Sequence, residues 1–137
     1  MVDIPEEVLK VVNDITSIKT IATLYPNERR VHTIQMGSLM TVSADRLIFG
    51  RVLTKRSHAN LLEMREKGEL VSVLINFEKR SYEIMAKPQD YAEAGGLLDK
   101  VNEMLKPIGV KAFGVWTLEP VEVWNQCPGP FAGNKMA

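Results

Sequence analysis

The sequence predicts an α+β fold: an antiparallel barrel of about six to seven short strands with two or three helices, one domain over residues 1–137 with a tail from about residue 125. Three observations carry this. Short apolar runs recur between turn signals along most of the chain. Helical periodicity is confined to a few windows. Strands follow one another directly instead of alternating strictly with helices, which disfavours a doubly wound parallel sheet.

Pro5, Glu6 and Glu7 suit a first helical turn, and Val8, Val11, Val12 and Ile15 follow at i, i+3, i+4, i+7 on one apolar face. Residues 18–24 alternate as a strand, Tyr25-Pro26-Asn27-Glu28 turns, and residues 31–36 return, predicting a hairpin. Ser43-Ala44-Asp45-Arg46 is a second turn, feeding a strand over 47–52. A helix is expected from about Ser57 to Lys67, stopped by Gly68. Strands follow over 70–75 and 81–86, joined by Glu78-Lys79-Arg80.

Pro88, Asp90 and Glu93 then signal a second long helix with Leu97, Val101 and Leu105 as its buried stripe. Gly95-Gly96 falls inside it, and Pro107 with Gly109 ends it. Two final strands are expected over 110–118 and 121–124, split by Glu119-Pro120. The tail Cys127-Pro128-Gly129-Pro130 is expected to leave regular structure.

Composition narrows the function classes. A hydrophobic content of 45% and a charged content of 25% match an ordinary globular domain. Seventeen basic and seventeen acidic residues cancel, against a nucleic-acid binder driven by bulk charge. One cysteine and two histidines leave no basis for a cysteine-built metal site, and a single Cys127 fits a reducing compartment. The start, Met1-Val2-Asp3-Ile4-Pro5, lacks the pattern of a signal peptide, and no run approaches a membrane span, so a cytoplasmic location is the expectation.

The densest chemical signal is Arg51-Val52-Leu53-Thr54-Lys55-Arg56-Ser57-His58, which holds four basic or potentially basic groups, two hydroxyls and no acid. It lies where a strand hands over to a helix. A helix start supplies free N–H groups and partial positive charge, and Lys, Arg and hydroxyls add donors, so the segment suits an anion such as phosphate. A solvated basic turn with Ser57 as N-cap is the plainer alternative.

With that segment and the order of elements in hand, the chain resembles the pyridoxamine 5′-phosphate oxidase-like, FMN-binding split-barrel proteins over residues 7–125. The resemblance rests on the hairpin over 18–36, on Asp45-Arg46-Leu47-Ile48-Phe49-Gly50-Arg51 with Lys55-Arg56-Ser57-His58-Ala59-Asn60-Leu61, and on the strand over 70–75. It departs from the oxidases proper in having Lys55-Arg56-Ser57 where they tend to have Ser-Arg-Lys, and in lacking a clear counterpart of their C-terminal substrate segment.

The resemblance implies a split β-barrel that pairs as a homodimer with FMN at the seam. It implies Arg51, Lys55, Arg56 and Ser57 at the phosphate, with Thr54 and Asn60 as neighbouring donors. It implies Thr33, Gln35 and Met36 along the ring, and Gly50 and Leu53 offering backbone and surface against it. Trp116 is either an aromatic wall over the flavin or a core residue, and the aromatic tail from Trp124 to Phe131 is a candidate cover from the partner chain. The implied function is an FMN-dependent oxidoreductase of the flavin-reductase or pyridoxamine-phosphate-oxidase type, with a small-molecule substrate or electron donor that the residues do not name. A flavin carrier or sensor without turnover is the alternative, as is a deazaflavin- or haem-binding split barrel. Neither His32 nor His58 has a partner that would make it catalytic.

Overall fold

A computed structural model describes residues 1–137. Helix α1 (Glu6–Val12) places Val8, Val11 and Val12 in the core, while Ile15 lies beyond the helix and is exposed. Strands β1 (Ile18–Leu24) and β2 (Val31–Gln35) form the expected hairpin, paired from Leu24↔Val31 to Thr20↔Gln35. Asn27, at φ 57°, makes the turn, a left-handed conformation that asparagine tolerates. After residues 36–39 come β3 (Met40–Ser43) and β4 (Arg46–Arg51), a second hairpin. Helix α2 (Lys55–Lys67) ends at Gly68 in the left-handed region. Then follow β5 (Val71–Phe77), β6 (Arg80–Ala92), α3 (Gly96–Leu105) with a 3-10 turn Lys106–Ile108, and β7 (Gly114–Asn125).

All seven strands belong to one antiparallel sheet ordered β2-β1-β5-β6-β7-β4-β3. Strands β2 and β3 are its two edges, yet only residues 36–39 join them. A segment that short spans at most about 3.3–3.6 Å per residue. The sheet must therefore curl until its edges approach, leaving an unclosed barrel whose mouth is bridged by residues 36–39.

The curled sheet buries apolar residues on both faces. Leu47 and Phe49 of β4 enter the main core with Val8, Ile21, Leu61, Val73, Ile84, Trp116 and Leu118. Ile48, between them, points the other way, into a smaller cluster with Leu98, Val101, Leu105, Ala112 and Val115 under α3. This is the period-two alternation of a strand covered on both sides.

Several expectations are corrected. Strand β6 runs through Pro88 to Ala92, where a helix start was expected, and α3 begins only at Gly96. A register shift between Pro88 and Asp90 in the pairing with β7 accommodates the missing N–H. Gly95 and Gly96 therefore lie at the helix start, with Gly95 at φ 110°. Strand β7 is continuous through Pro120, beside a second register shift, so the two expected final strands are one. The seventh strand is instead β3, short and only partly buried, which the sequence reading passed over.

The tail does not leave the domain. Lys135 bridges to Trp124, the Gln126 N–H donates to the Ser81 carbonyl, and Met136 and Ala137 pack on the main core. The tail thus packs along its own chain at Gln126 and residues 135–137, while Phe131 stays exposed. No helix is long and apolar enough to cross a membrane.

Candidate functional site

The barrel mouth and the start of α2 together form a groove with two lobes. The small lobe, about 500 Å³, is lined by His32 and Ile34 of β2, by the run 51–56 between β4 and α2, and by Phe113. The large lobe, about 1050 Å³, is mostly apolar and extends under residues 36–39 to Met104, Leu105, Pro107 and Ile108 at the end of α3. The lobes share Ile34, Val52, Leu53 and Thr54, so they form one continuous depression. The sizes suit a small molecule or cofactor, for which pockets of about 300–1,000 Å³ are usual.

The small lobe carries Arg51, Lys55 and Arg56 and no acid. Thr54 occupies the N-cap position of α2 with no side-chain cap bond, and the first turn of the helix contains no carboxylate. The first N–H groups of a helix lack intrahelical partners, and His58 is the first residue here whose N–H finds one, on the Thr54 carbonyl at 2.8 Å. Three buried polar atoms in the same place have no hydrogen-bond partner within the chain: Arg51 Nε, Thr54 Oγ1 and Ser57 Oγ. Buried polar atoms are normally satisfied. Unsatisfied polar atoms beside a helix start that carries basic side chains and no carboxylate in its first turn are an arrangement suited to an anion.

Neighbouring contacts position these groups. Arg51 donates from Nη1 to the Tyr91 hydroxyl at 3.2 Å, and Tyr91 donates in turn to Glu93 at 2.9 Å. The Arg51 guanidinium also lies 4.8 Å from the centre of the Phe113 ring. Arg56 donates to the Tyr25 hydroxyl at 2.9 Å. Burial and then the charge of Arg56 hold His32 below the usual histidine range, keeping it neutral beside the basic groups.

The structure brings most of the sequence-derived candidates together. Arg51, Leu53, Thr54, Lys55 and Arg56 line the small lobe; Gln35, Met36, Gly50, Leu53 and Thr54 line the large one. Ser57 is one turn into α2, buried, rather than the cap. Ser57 lines neither lobe, and three further candidates also lie outside both. Thr33 is exposed and lines neither lobe, whereas its strand neighbours His32 and Ile34 do. Asn60 is buried with Nδ2 on Thr23 Oγ1 at 3.0 Å, tying α2 to β1. Trp116 is fully buried, and its indole N–H donates to His58 Nδ1 at 3.0 Å, so it acts in the core.

Gly50 has a clear reason to be glycine. A Cβ there would sit 2.6 Å from Val101 Cγ1 and 2.8 Å from the Ala112 Cβ, so α3 packs on bare backbone. Its N–H donates to Ser38 Oγ at 2.9 Å, and the same hydroxyl lies 3.3 Å from the Gly50 carbonyl, which pins the 36–39 bridge to β4.

Lys19 was missed. It lines the large lobe and is 5% exposed. In the fold it shares a strand face with Ile21 and Thr23, both buried, although the opposite face with Ile18, Ala22 and Leu24 is the more apolar in sequence.

The architecture recurs among solved structures. HupZ of Group A Streptococcus superposes with a TM-score of 0.75 at 12% identity, covering 95% of this chain and 99% of that one. An FMN-binding protein from Syntrophomonas wolfei gives 0.71 at 14%, covering 90% and 89%. General stress protein 26 from Bacillus anthracis gives 0.66 at 13%, covering 93% and 96%. The chain has the pyridoxamine 5′-phosphate oxidase-like split-barrel fold. At these identities the likeness is one of fold. No protein-family model matches the chain. No curated protein matches its sequence either. In this split barrel the groove opens where the sheet fails to close, between the β2 edge and the β3–β4 hairpin.

Proposed function

We propose that the groove binds FMN and that the protein is an FMN-dependent oxidoreductase. The observation that carries the reading is the set of unpartnered buried donors, Arg51 Nε, Thr54 Oγ1 and Ser57 Oγ, at a helix start bearing Lys55 and Arg56. These groups fit a phosphate monoester: hydroxyls, a guanidinium and backbone N–H groups all donate, and no carboxylate lines the small lobe. Ile34, Met36, Val52 and Leu53 offer apolar surface for a flat ring beyond it, with Gln35 supplying a polar edge. The solved neighbour from Syntrophomonas wolfei, named as FMN-binding, supports the same cofactor on this fold.

When bound, the flavin supplies the electron-transfer chemistry. The chain's own part is to bind and orient. Lys55, Arg56, Thr54 and Ser57 would hold the phosphate, and the apolar walls of the large lobe would receive the ring and keep water from it. Leu53, exposed at the shared rim, leaves the outer side open to a second subunit. A homodimer closing over the groove completes the site.

The purified protein is expected to carry a flavin spectrum, with FMN identified by mass on release. Replacing both Lys55 and Arg56 by Ala removes two charge-assisted contacts of about 1.5–3 kcal/mol each, so FMN affinity falls by at least about a hundredfold. Ser57→Ala weakens FMN binding while leaving the ligand-free protein as stable as before, because the Ser57 hydroxyl has no partner to lose. Riboflavin binds far more weakly than FMN. Equal affinities for riboflavin and FMN, or an unchanged affinity in the folded double variant, would refute the phosphate assignment.

A further inference from the structure

One charged group in the groove is left over from phosphate binding. Lys19 belongs to the large lobe and not to the basic small one. It is 5% exposed on a strand face otherwise held by Ile21 and Thr23. An ammonium has three donors, and within the chain Lys19 Nζ uses one, to the Leu39 carbonyl at 3.0 Å. No carboxylate lies within ion-pair distance of it. Asp14, the acid whose field reaches it, is occupied by the Thr16 N–H at 2.8 Å and the Thr16 hydroxyl at 2.6 Å. A buried cation without a paired anion is unfavourable unless something supplies the missing charge. Burial accordingly holds the ammonium below the usual lysine range, with Asp14 opposing weakly.

The lobe around it explains what the partner must be. Its walls are Ile34, Met36, Leu39, Met104, Leu105 and Ile108, which suit a flat apolar body and offer no carboxylate. A ligand that brings both an apolar body and a negative or strongly accepting edge satisfies the lobe and the lysine together. We propose that Lys19 is a flavin-binding residue that sets the redox potential, its ammonium serving as the counter-charge to the negative charge a bound ring gains on reduction. This deepens the FMN reading above and rests on it. Uptake of two electrons and one proton from an external reductant leaves one net negative charge on the ring system. A fixed cation beside it favours that state over the neutral oxidised one. Lys19 differs in role from Lys55 and Arg56: those hold the phosphate in either redox state, and Lys19 discriminates between the states.

The competing role is structural, with Lys19 merely tying β1 to the 36–39 bridge through the Leu39 carbonyl. Three variants of the FMN-loaded full-length protein separate the two roles. Lys19→Arg keeps the charge, Lys19→Gln keeps a donor for Leu39 but loses the charge, and Lys19→Met loses both. The measurement is the midpoint potential of the bound flavin by dithionite titration against indicator dyes, beside the dissociation constant for oxidised FMN. The expected result is that Lys19→Gln and Lys19→Met still bind oxidised FMN but lose at least tenfold in preference for the reduced form. That is a potential lower by about 30 mV for a two-electron couple. Lys19→Arg stays near wild type. Potentials unchanged in Lys19→Gln and Lys19→Met overturn the assignment and leave Lys19 structural. If Lys19→Met does not fold, Lys19→Gln decides on its own. A wild-type protein that takes up no FMN overturns this proposal through the flavin reading beneath it, and the binding measurement identifies that case before any potential is read.

Discussion

His58 shows how a residue read as ambiguous in sequence becomes specific in the fold. Its Nδ1 accepts the indole N–H of Trp116 at 3.0 Å, and its ring packs 4.5 Å from that of Tyr91. Burial first, then the charge of Arg51 with a smaller push from Arg65, holds it below the ordinary value of 6.5, against the opposing pull of Glu93. The folded state therefore binds this proton less readily than the unfolded chain. The linked stability is complete above pH 6.5 and is lost as the pH falls below it toward the lowered folded value. Urea midpoints at pH 7.5 and pH 5 are expected to fall for the wild type. They should fall less for His58→Gln, which keeps an acceptor for Trp116 without titrating. Equal losses in the two proteins would remove His58 from the account. The same scale explains Lys19 and Ser57: one was passed over and stands on the inward face of β1, the other was expected as an N-cap and lies a turn further in. Chemical type was readable at both positions. Partnership was not, because it depends on groups distant in sequence.

At the scale of elements, Gly50 makes β4 a surface on which α3 can lie. Adding a methyl forces Val101 and Ala112 aside in a cluster already fully buried. Gly50→Ala is expected to destabilise the fold by about 1–3 kcal/mol, as overpacking does, measured as a lower urea midpoint at unchanged slope. The shift also moves Met104 and Leu105, which line the large lobe, so FMN affinity should drop with it. A variant of normal stability would show that α3 does not rest on β4 at this point. Element boundaries explain the main misreadings. Pro88 and Asp90 carry a helix-start signal, and the glycines at 95 and 96 looked like defects inside that helix. The β5 ladder ends at Ala86; pairing with β7 alone carries the segment on as strand to Ala92, and a register shift absorbs the proline. Strand preference is set largely by cross-strand neighbours, which no local window contains.

At the scale of the molecule, the rim of the groove is apolar and unprotected. Leu53 and Ile15 are each 88% exposed, Ile108 is 70% exposed and Phe113 is 50% exposed, and all four line one lobe or the other. Apolar surface concentrated around a concave site suits an interface. We expect light scattering to give twice the 15.4 kDa chain mass at micromolar concentration. Leu53→Asp with Ile108→Asp should yield a folded monomer with weakened FMN binding. A wild-type monomer that holds FMN tightly would rule out the shared site.

Local patterning was enough to determine the class of the fold and the position of its acid-free basic segment. Period-two runs, a hairpin turn at Tyr25–Glu28 and an acid-free basic stretch before a helix are properties of neighbours along the chain. Only the tertiary structure decided which of those groups meet. The 36–39 bridge draws two sheet edges together and makes the groove; β7, late in the chain, inserts between β6 and β4; and Lys19 and Leu39, twenty residues apart, share a hydrogen bond inside it. The reason is physical: sheet pairing and burial are long-range, so the environment of each side chain is created by segments that its own sequence context does not contain.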